Sequence, residues 1–415
     1  MTLSEELQWR GFVNQTTFTD ITDLDKQPLT FYWGVDPSAT SMTIGNFAMA
    51  MMVRHFIDHG HKAILLVGGA TGLIGDPDGK ADERNLKTVE EIEANKAGIA
   101  AQYQKIFDGK SFEIVDNYDW FKGIGYLQFL RDVGKHVPMR QMLGREFVQS
   151  RLGEDGAGIS YAEFSYSLIQ GYDFVHLNRE KGATLQVAGA DQWGNSIAGV
   201  DLIRRINGQE AHVWTGPLVV NKATGVKFGK SEGGAIWLDA DLTSVYKFYQ
   251  FWLNVDDEGV SDYLKIYTLL NKEEHAAVMV EFEQNKGGRH AQKTLAYEVT
   301  KLVHGQEAAD SVVRITNVLF AGADLAEVTN QDIDQLRAEL PAFTAKNGDL
   351  VANALVETGL AGSLSEARRF MEQNGVSLNG EKVGQDYQLT QDDLKVAGSA
   401  LLRRGKNNYA VIDIA

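Results

Sequence analysis

Phe31-Tyr32-Trp33-Gly34-Val35-Asp36-Pro37-Ser38-Ala39-Thr40-Ser41-Met42-Thr43-Ile44-Gly45-Asn46 is the stretch on which the reading of the chain turns. Phe31 to Val35 is a short apolar and aromatic run, the pattern of a buried strand. Asp36-Pro37 ends it, because proline brings no N–H to a ladder and disfavours helix in the residue before it. Ser38 to Thr43 reads as a polar loop. Gly45 then opens an apolar run at helical spacing through Phe47, Ala48, Met51 and Met52. A strand therefore feeds a loop that ends at a helix N-terminus, where free N–H groups and the helix dipole favour an anion. Gly45 lets a flat or charged ligand approach the backbone. Far downstream, Lys227-Phe228-Gly229-Lys230-Ser231 places two lysines on a glycine-containing loop, a pattern suited to a polyphosphate.

Working outward, Ala63 to Val67 is a second continuous apolar run, again a buried strand. It leads into Gly68-Gly69-Ala70-Thr71-Gly72-Leu73-Ile74-Gly75-Asp76-Pro77, which is either a plain strand-to-helix turn or backbone packed against a ligand, with Asp76 facing an amine. Phe112 to Val115 is a third strand, ending at Asp116-Asn117. Leu185 to Val187 is a fourth, ending at Gly189-Ala190-Asp191-Gln192. Strands alternating with helices indicate an α/β fold with a parallel sheet. Ligands of such sheets bind beyond the carboxyl ends of the strands. Asp36, Asp76, Asp191 and Gln192 all fall there. Tyr161 to Val175 is an apolar helix pattern that carries Tyr166, Gln170 and Asp173 on one face. Such a polar stripe is an internal hydrogen-bond network or the wall of a ligand site.

At 415 residues, with 44% hydrophobic and 23% charged residues, the chain has the size and composition of a soluble protein of two or three domains. No apolar run reaches the ~18–20 residues of a membrane span, so no membrane association is expected. Met1 to Arg10 carries Glu5 and Glu6 and lacks the basic start and apolar core of a signal peptide. The absence of cysteine excludes disulfides and thiolate metal sites and is compatible with the cytoplasm. A net charge of −16 argues against non-specific nucleic-acid binding but leaves room for a local basic patch.

Ser244 to His304 reads as largely helical, and 321–349 as an acidic linker containing Pro341. Leu350 to Ala415 reads as a small separate module. Ser363 and Glu366 give a capping signal, and Asn379-Gly380 a hairpin turn. Its charges nearly balance, and Arg368, Arg369, Arg403 and Arg404 read either as one RNA-binding basic face or as an ordinary solvated surface.

From end to end these blocks, in this order, resemble the bacterial tyrosyl-tRNA synthetases, class I enzymes with a C-terminal S4-type RNA-binding domain. The resemblance implies a Rossmann-like catalytic domain over 1–220, a mobile lysine loop over 221–243 and an α-helical anticodon-binding domain over 244–320. A linker over 321–349 and an α+β S4-type domain over 350–415 complete the expected order. It implies that tyrosine and ATP, with Mg²⁺, give tyrosyl-adenylate and pyrophosphate, and that tyrosine then passes to tRNA(Tyr) on a cytoplasmic homodimer. By matching position, Tyr32 and Asp173 meet the substrate phenol, and Asp76, Tyr166 and Gln170 its ammonium. Asp36 and Gln186 line the same pocket. Ser38, Thr43, Gly45, Asn46, Gly189, Asp191 and Gln192 line the ATP site. Lys227, Lys230 and Ser231 act on the departing pyrophosphate, and no metal is held by the protein itself. One position departs from the family pattern: Thr43 stands where histidine usually begins the ATP signature. Either its hydroxyl donates to the phosphates, or Ser38 and the lysines carry more of that load. The competing readings are the tryptophan-specific relative, a paralogue that binds RNA without catalysis, and another kind of nucleotidylyltransferase.

Overall fold

A computed structural model describes the chain except for residues 78–85, 145, 154–157, 227, 229, 232–233, 322–327, 396–397 and 407. Strands β1 (Gln15–Thr16), β2 (Thr30–Val35), β3 (Lys62–Val67), β4 (Phe112–Asp116), β5 (Leu185–Gly189) and β6 (His212–Gly216) form one sheet in the order β1-β6-β5-β2-β3-β4. All neighbours are parallel except β1, which closes the β6 edge antiparallel. The chain runs outward in one direction from β2 and in the other from β5. The crevice at their carboxyl ends is therefore the switch point at which such sheets bind ligands. Register pairs Tyr32 with Gln186 across that line.

Helices α1 (Leu3–Arg10) and α2 (Ile44–Asp58) precede and follow β2. Thr2 caps α1 reciprocally with Glu5, and Gly11, at φ 83°, ends it in the left-handed region. Arg10 is buried and donates to the carbonyls of Lys265, Thr268 and Leu270, at 2.8, 3.1 and 3.0 Å. The glycine-rich run after β3 is a short helix, α3 (Gly69–Ile74), rather than an open turn. Gly68 is required there, because a Cβ would collide with the Asp36 carboxylate and the Thr71 hydroxyl.

His55 is buried on α2 with Nδ1 3.3 Å from Glu6. Burial first, then the charge of Arg10, pushes its pKa down to about 2. The unfolded chain therefore takes up a proton below about pH 6.5 that the folded one refuses, so stability falls as pH drops. Between pH 7.5 and 4.5 this residue alone is expected to remove about 2–3 kcal/mol. Urea unfolding across that range should show a flatter pH dependence for His55→Gln than for the unaltered chain.

The described residues divide into two compact units, Met1–Thr243 with Phe251–Leu295, and Ser244–Gln250 with Ala296–Ala415. The expected single helical body over 244–320 is thus split. Residues 251–295 pack on helices α1 and α2, through the Arg10 contacts and the stacking of Phe47 on Tyr267 at 6.1 Å.

In the second unit five strands lie in the order Glu381–Lys382, Val376–Leu378, Ala400–Arg404, Asn408–Ile414, Ala342–Ala345. The described part of the expected linker is in fact structured: it holds helix Asn330–Glu339 and the strand Ala342–Ala345, which pairs parallel with Asn408–Ile414. Its acidity hid the apolar pair Ile333 and Leu336, which are buried against Ile315, Leu319, Leu401 and Val411. Pro341 does not break the sheet, because it precedes the strand and only its carbonyl is used, by the Val411 N–H. The Asn379-Gly380 hairpin turn has φ 50° and 85°, as a type I′ turn requires. No described helix is long and apolar enough to cross a membrane.

Candidate active site

A cleft of about 420 Å³ opens at the carboxyl ends of β2 and β5. Tyr32, Asp36, Ser38, Thr43, Gly45, Asn46, Asp76, Tyr166, Gln170, Asp173, Gln186, Gly189, Asp191 and Gln192 all line it. Residues separated by up to 160 positions are thus brought together by three strand ends, the start of α2 and one face of helix Tyr161–Lys181.

One wall holds Tyr32 and Asp173, both 2% exposed. Asp173 Oδ2 accepts from Asn117 Nδ2 at 3.1 Å and Oδ1 from Trp120 Nε1 at 2.9 Å. Burial pushes the Asp173 carboxyl well above the ordinary carboxylate range, against the pull of these two donors. Burial, then the Asp173 charge, holds the Tyr32 phenol protonated well above its ordinary range. Among the described residues nothing bonds the Tyr32 hydroxyl. The pair offers one acceptor and one donor, which fits a ligand hydroxyl that both gives and takes a hydrogen bond.

The next layer is acidic. Asp36 accepts from the hydroxyls of Tyr166 and Thr71, at 2.6 and 2.7 Å. Gln192 Nε2 donates to Asp76 at 2.7 Å, and Gln170 Nε2 donates to Gln192 Oε1 at 3.3 Å. These bonds fix Gln170 Oε1 as a buried acceptor that no described residue satisfies. Two carboxylates and an amide oxygen suit an ammonium, which has three donors and no acceptor. The polar stripe of helix Tyr161–Lys181 is therefore at once a network and a cleft wall.

The outer part begins at α2. A Cβ on Gly45 would meet nothing within 4 Å but the Thr43 hydroxyl, so this glycine leaves the cleft open. On the far side a Cβ at Gly189 would lie 2.7 Å from Asp191 Oδ1 and displace that carboxylate. Met42 to Ile44 is laced to the segment that follows the lysine loop: Ile44 N–H donates to Ile236 O at 3.1 Å and Leu238 N–H to Met42 O at 2.9 Å. Lys227 and Gly229 lie outside the described residues. The main chain of Lys230 and Ser231 is described and pairs with Gly234–Ala235. Phe228 is buried, lines the cleft and stacks on Tyr263 at 4.3 Å. Among the described residues no group of three or more His, Asp or Glu side chains is placed to hold a metal ion.

Asn117, Trp120 and Thr71 were not singled out from the sequence, although they hold Asp173 and Asp36 in place. Asn117 carried a usable signal: it follows β4 directly, at the same end of the sheet as the other polar candidates.

Family models match nearly the whole chain. "tRNA synthetases class I (W and Y)" covers residues 24–321, and "Tyrosine--tRNA ligase SYY-like C-terminal domain" covers 332–412. The tyrosine–tRNA ligase of Geobacillus stearothermophilus is 45% identical over 424 residues, spanning 100% of both chains. That of Staphylococcus haemolyticus is 43% identical over 420 residues, spanning 99% of both. The chain belongs to the tyrosine–tRNA ligase family. It is an enzyme, a class I aminoacyl-tRNA synthetase. A C-terminally truncated mitochondrial tyrosyl-tRNA synthetase of Aspergillus nidulans superposes with a TM-score of 0.69 at 31% identity, over 77% of this chain and 94% of its own. A tryptophanyl-tRNA synthetase of Encephalitozoon cuniculi bound to tryptophan shares the fold, with a TM-score of 0.53 at 14% identity over 75% and 89%.

The tail of this tyrosine–tRNA ligase family member corrects one expectation. Arg403 and Arg404 are consecutive on a strand, so they point to opposite faces. Arg404 lies over the Phe370 ring at 5.0 Å, beside Arg369 at 5.6 Å, whereas Arg403 lies over Tyr409 at 5.9 Å. Arg403 does not join a common basic face.

Proposed function

We propose that the chain activates L-tyrosine with MgATP and transfers it to tRNA(Tyr). The buried Tyr32–Asp173 pair, braced by Asn117 and Trp120, carries the reading. Tyr32 and Asp173 take the phenol, with Gln186 beside Tyr32 on the next strand. Asp76, Tyr166 and Gln170 take the ammonium, with Asp36 ordering Tyr166. Ser38, Gly45, Asn46, Gly189, Asp191 and Gln192 take ATP, whose Mg²⁺ arrives on the phosphates. Lys227, Lys230 and Ser231 meet the pyrophosphate.

The substrate carboxylate is itself the nucleophile on the α-phosphate. Its C–O–P bond forms as the bond to pyrophosphate breaks, and the leaving group takes the electron pair. The protein has little covalent work to do, so rate comes from alignment and from cations that neutralise charge as it develops. Calorimetric titration tests the pocket. L-Tyrosine is expected to bind and L-tryptophan not; preferential tryptophan binding overturns the assignment.

On this proposal the chain works as a homodimer in the cytoplasm. Tyr126, Leu127, Met139, Leu152 and Tyr161 are large, exposed and drawn from one stretch, and the Tyr126 and Tyr161 hydroxyls lie 3.3 Å apart. Such a face suits a second copy of the chain. The tail is proposed to bind tRNA phosphates through Arg369 and Arg404, which both lie over the Phe370 ring, and through Arg368 of the same helix as Arg369. Reversing all three arginines to glutamate is expected to lower tRNA charging by about 10–100-fold, because phosphate contacts are lost, while leaving pyrophosphate exchange intact. Equal charging by the variant removes this role.

A further inference from the structure

Two donors of Thr43 converge on one atom of Asn46. The Thr43 N–H and the Thr43 hydroxyl both point at Asn46 Oδ1, at 3.1 and 3.0 Å. A main-chain N–H can only donate, so the atom it meets must be the amide oxygen, and the orientation of the amide is set by chemistry. The hydroxyl spends its single proton on the same oxygen. It therefore has none left for a phosphate. The NH₂ of Asn46 is turned away from Thr43, on a residue that lines the outer cleft.

We propose that Thr43 is a positioning residue: its hydroxyl holds the Asn46 amide so that Nδ2 donates to an oxygen of the bound nucleotide, and Thr43 itself does not touch the phosphates. This rests on the reading of the outer cleft as the ATP site. It resolves the question raised by a threonine at this place in favour of an indirect role. The hydroxyl also takes part in the capping box at the start of α2, facing the Asn46 N–H, but the main chain on either side is held without it. Ile44 N–H is held by Ile236 O, Leu238 N–H by Met42 O, and Met42 N–H by Gln102 Oε1 at 2.7 Å. A substitution that removes only the hydroxyl thus leaves the main chain pinned on both sides.

The test is equilibrium dialysis of MgATP without amino acid, on the full chain, for Thr43→Val, Thr43→Ser, Asn46→Ala, Asn46→Asp and the Thr43→Val/Asn46→Ala double variant. Thr43→Val is expected to weaken ATP by about 3–10-fold, the worth of one net hydrogen bond. Thr43→Ser, which keeps the hydroxyl, retains most of the affinity. On the Asn46→Ala background Thr43→Val has no further effect. Asn46→Asp keeps an oxygen for Thr43 but loses the NH₂, so it weakens ATP at least as much as Asn46→Ala. Thr43→Val costing the same factor on both backgrounds would show that the hydroxyl meets the nucleotide directly and overturn the proposal. Full ATP affinity in Thr43→Val or in Asn46→Asp would do the same. Because dialysis reads ATP alone, an unaltered chain that binds ATP yet shows no tyrosine-dependent exchange contradicts the proposed function and not the role of Thr43.

Discussion

Asp173→Ala is expected to lower kcat/KM for tyrosine in adenylate formation by roughly 10²–10³, about 3–4 kcal/mol. The loss has two parts. The hydrogen bond to the Asp173 carboxyl is worth roughly 1–3 kcal/mol, and a substrate hydroxyl buried without an acceptor adds a further penalty of about 1–3 kcal/mol. Selectivity should fall with it. On the proposed assignment phenylalanine is disfavoured because it leaves the Tyr32 hydroxyl without a partner and brings no hydroxyl to Asp173, and removing Asp173 removes part of that cost. Tyrosyl-tRNA synthetases are the usual illustration of this rule, in which a site built for a hydroxyl rejects the analogue without one. Asn117 keeps the Thr71 hydroxyl as a partner when Asp173 is gone, at 3.1 Å, so the wall retains part of its bracing. Steady-state exchange with tyrosine and phenylalanine measures both effects. Unchanged selectivity would show that another group reads the phenol.

Lys230→Ala is expected to slow exchange by about 10²–10³, the usual worth of one donor aimed at charge that develops in the transition state. Tyrosine binding, read by calorimetry, should be unaffected. The expectation follows from where the loop is rooted. Downstream of Lys230 the chain is laced to Met42 and Ile44 at the start of α2. Upstream, Phe228 N–H donates to Val219 O at 2.9 Å and its ring lies on Tyr263, whose hydroxyl donates to Val220 O at 3.3 Å. The described roots of the loop on both sides are therefore fixed beside the cleft, and on the proposed assignment its lysine acts on pyrophosphate as it departs, which would raise the rate without raising substrate affinity. A loss of tyrosine binding as large as the loss of exchange contradicts this assignment.

The parallel sheet was legible because its strands are continuous apolar runs, and the site was legible because Asp36, Asp76, Asp191 and Gln192 each follow one of them. What escaped notice were partners with no local signature. Trp120 holds Asp173 from 53 residues away, and an indole on a short helix is ordinarily read as core. Thr71 was visible only as one more small residue in a glycine-rich run, yet its hydroxyl and that of Tyr166 fix the two oxygens of Asp36. The segment 321–349 was misread because net acidity outweighed the spacing of Ile333 and Leu336. The basic face of the tail was misread because Arg403-Arg404 was counted as charge and not placed on a strand, where neighbours diverge. Composition records how much charge a segment carries; only register records where it points.

On the proposed assignment the cleft recognises a hydroxylated aromatic amino acid and couples it to ATP. The deciding measurement is ATP–pyrophosphate exchange driven by each of the standard amino acids in turn. Exchange with tyrosine, and only background with phenylalanine and tryptophan, is the expected result. Exchange supported by tryptophan and not by tyrosine would contradict it.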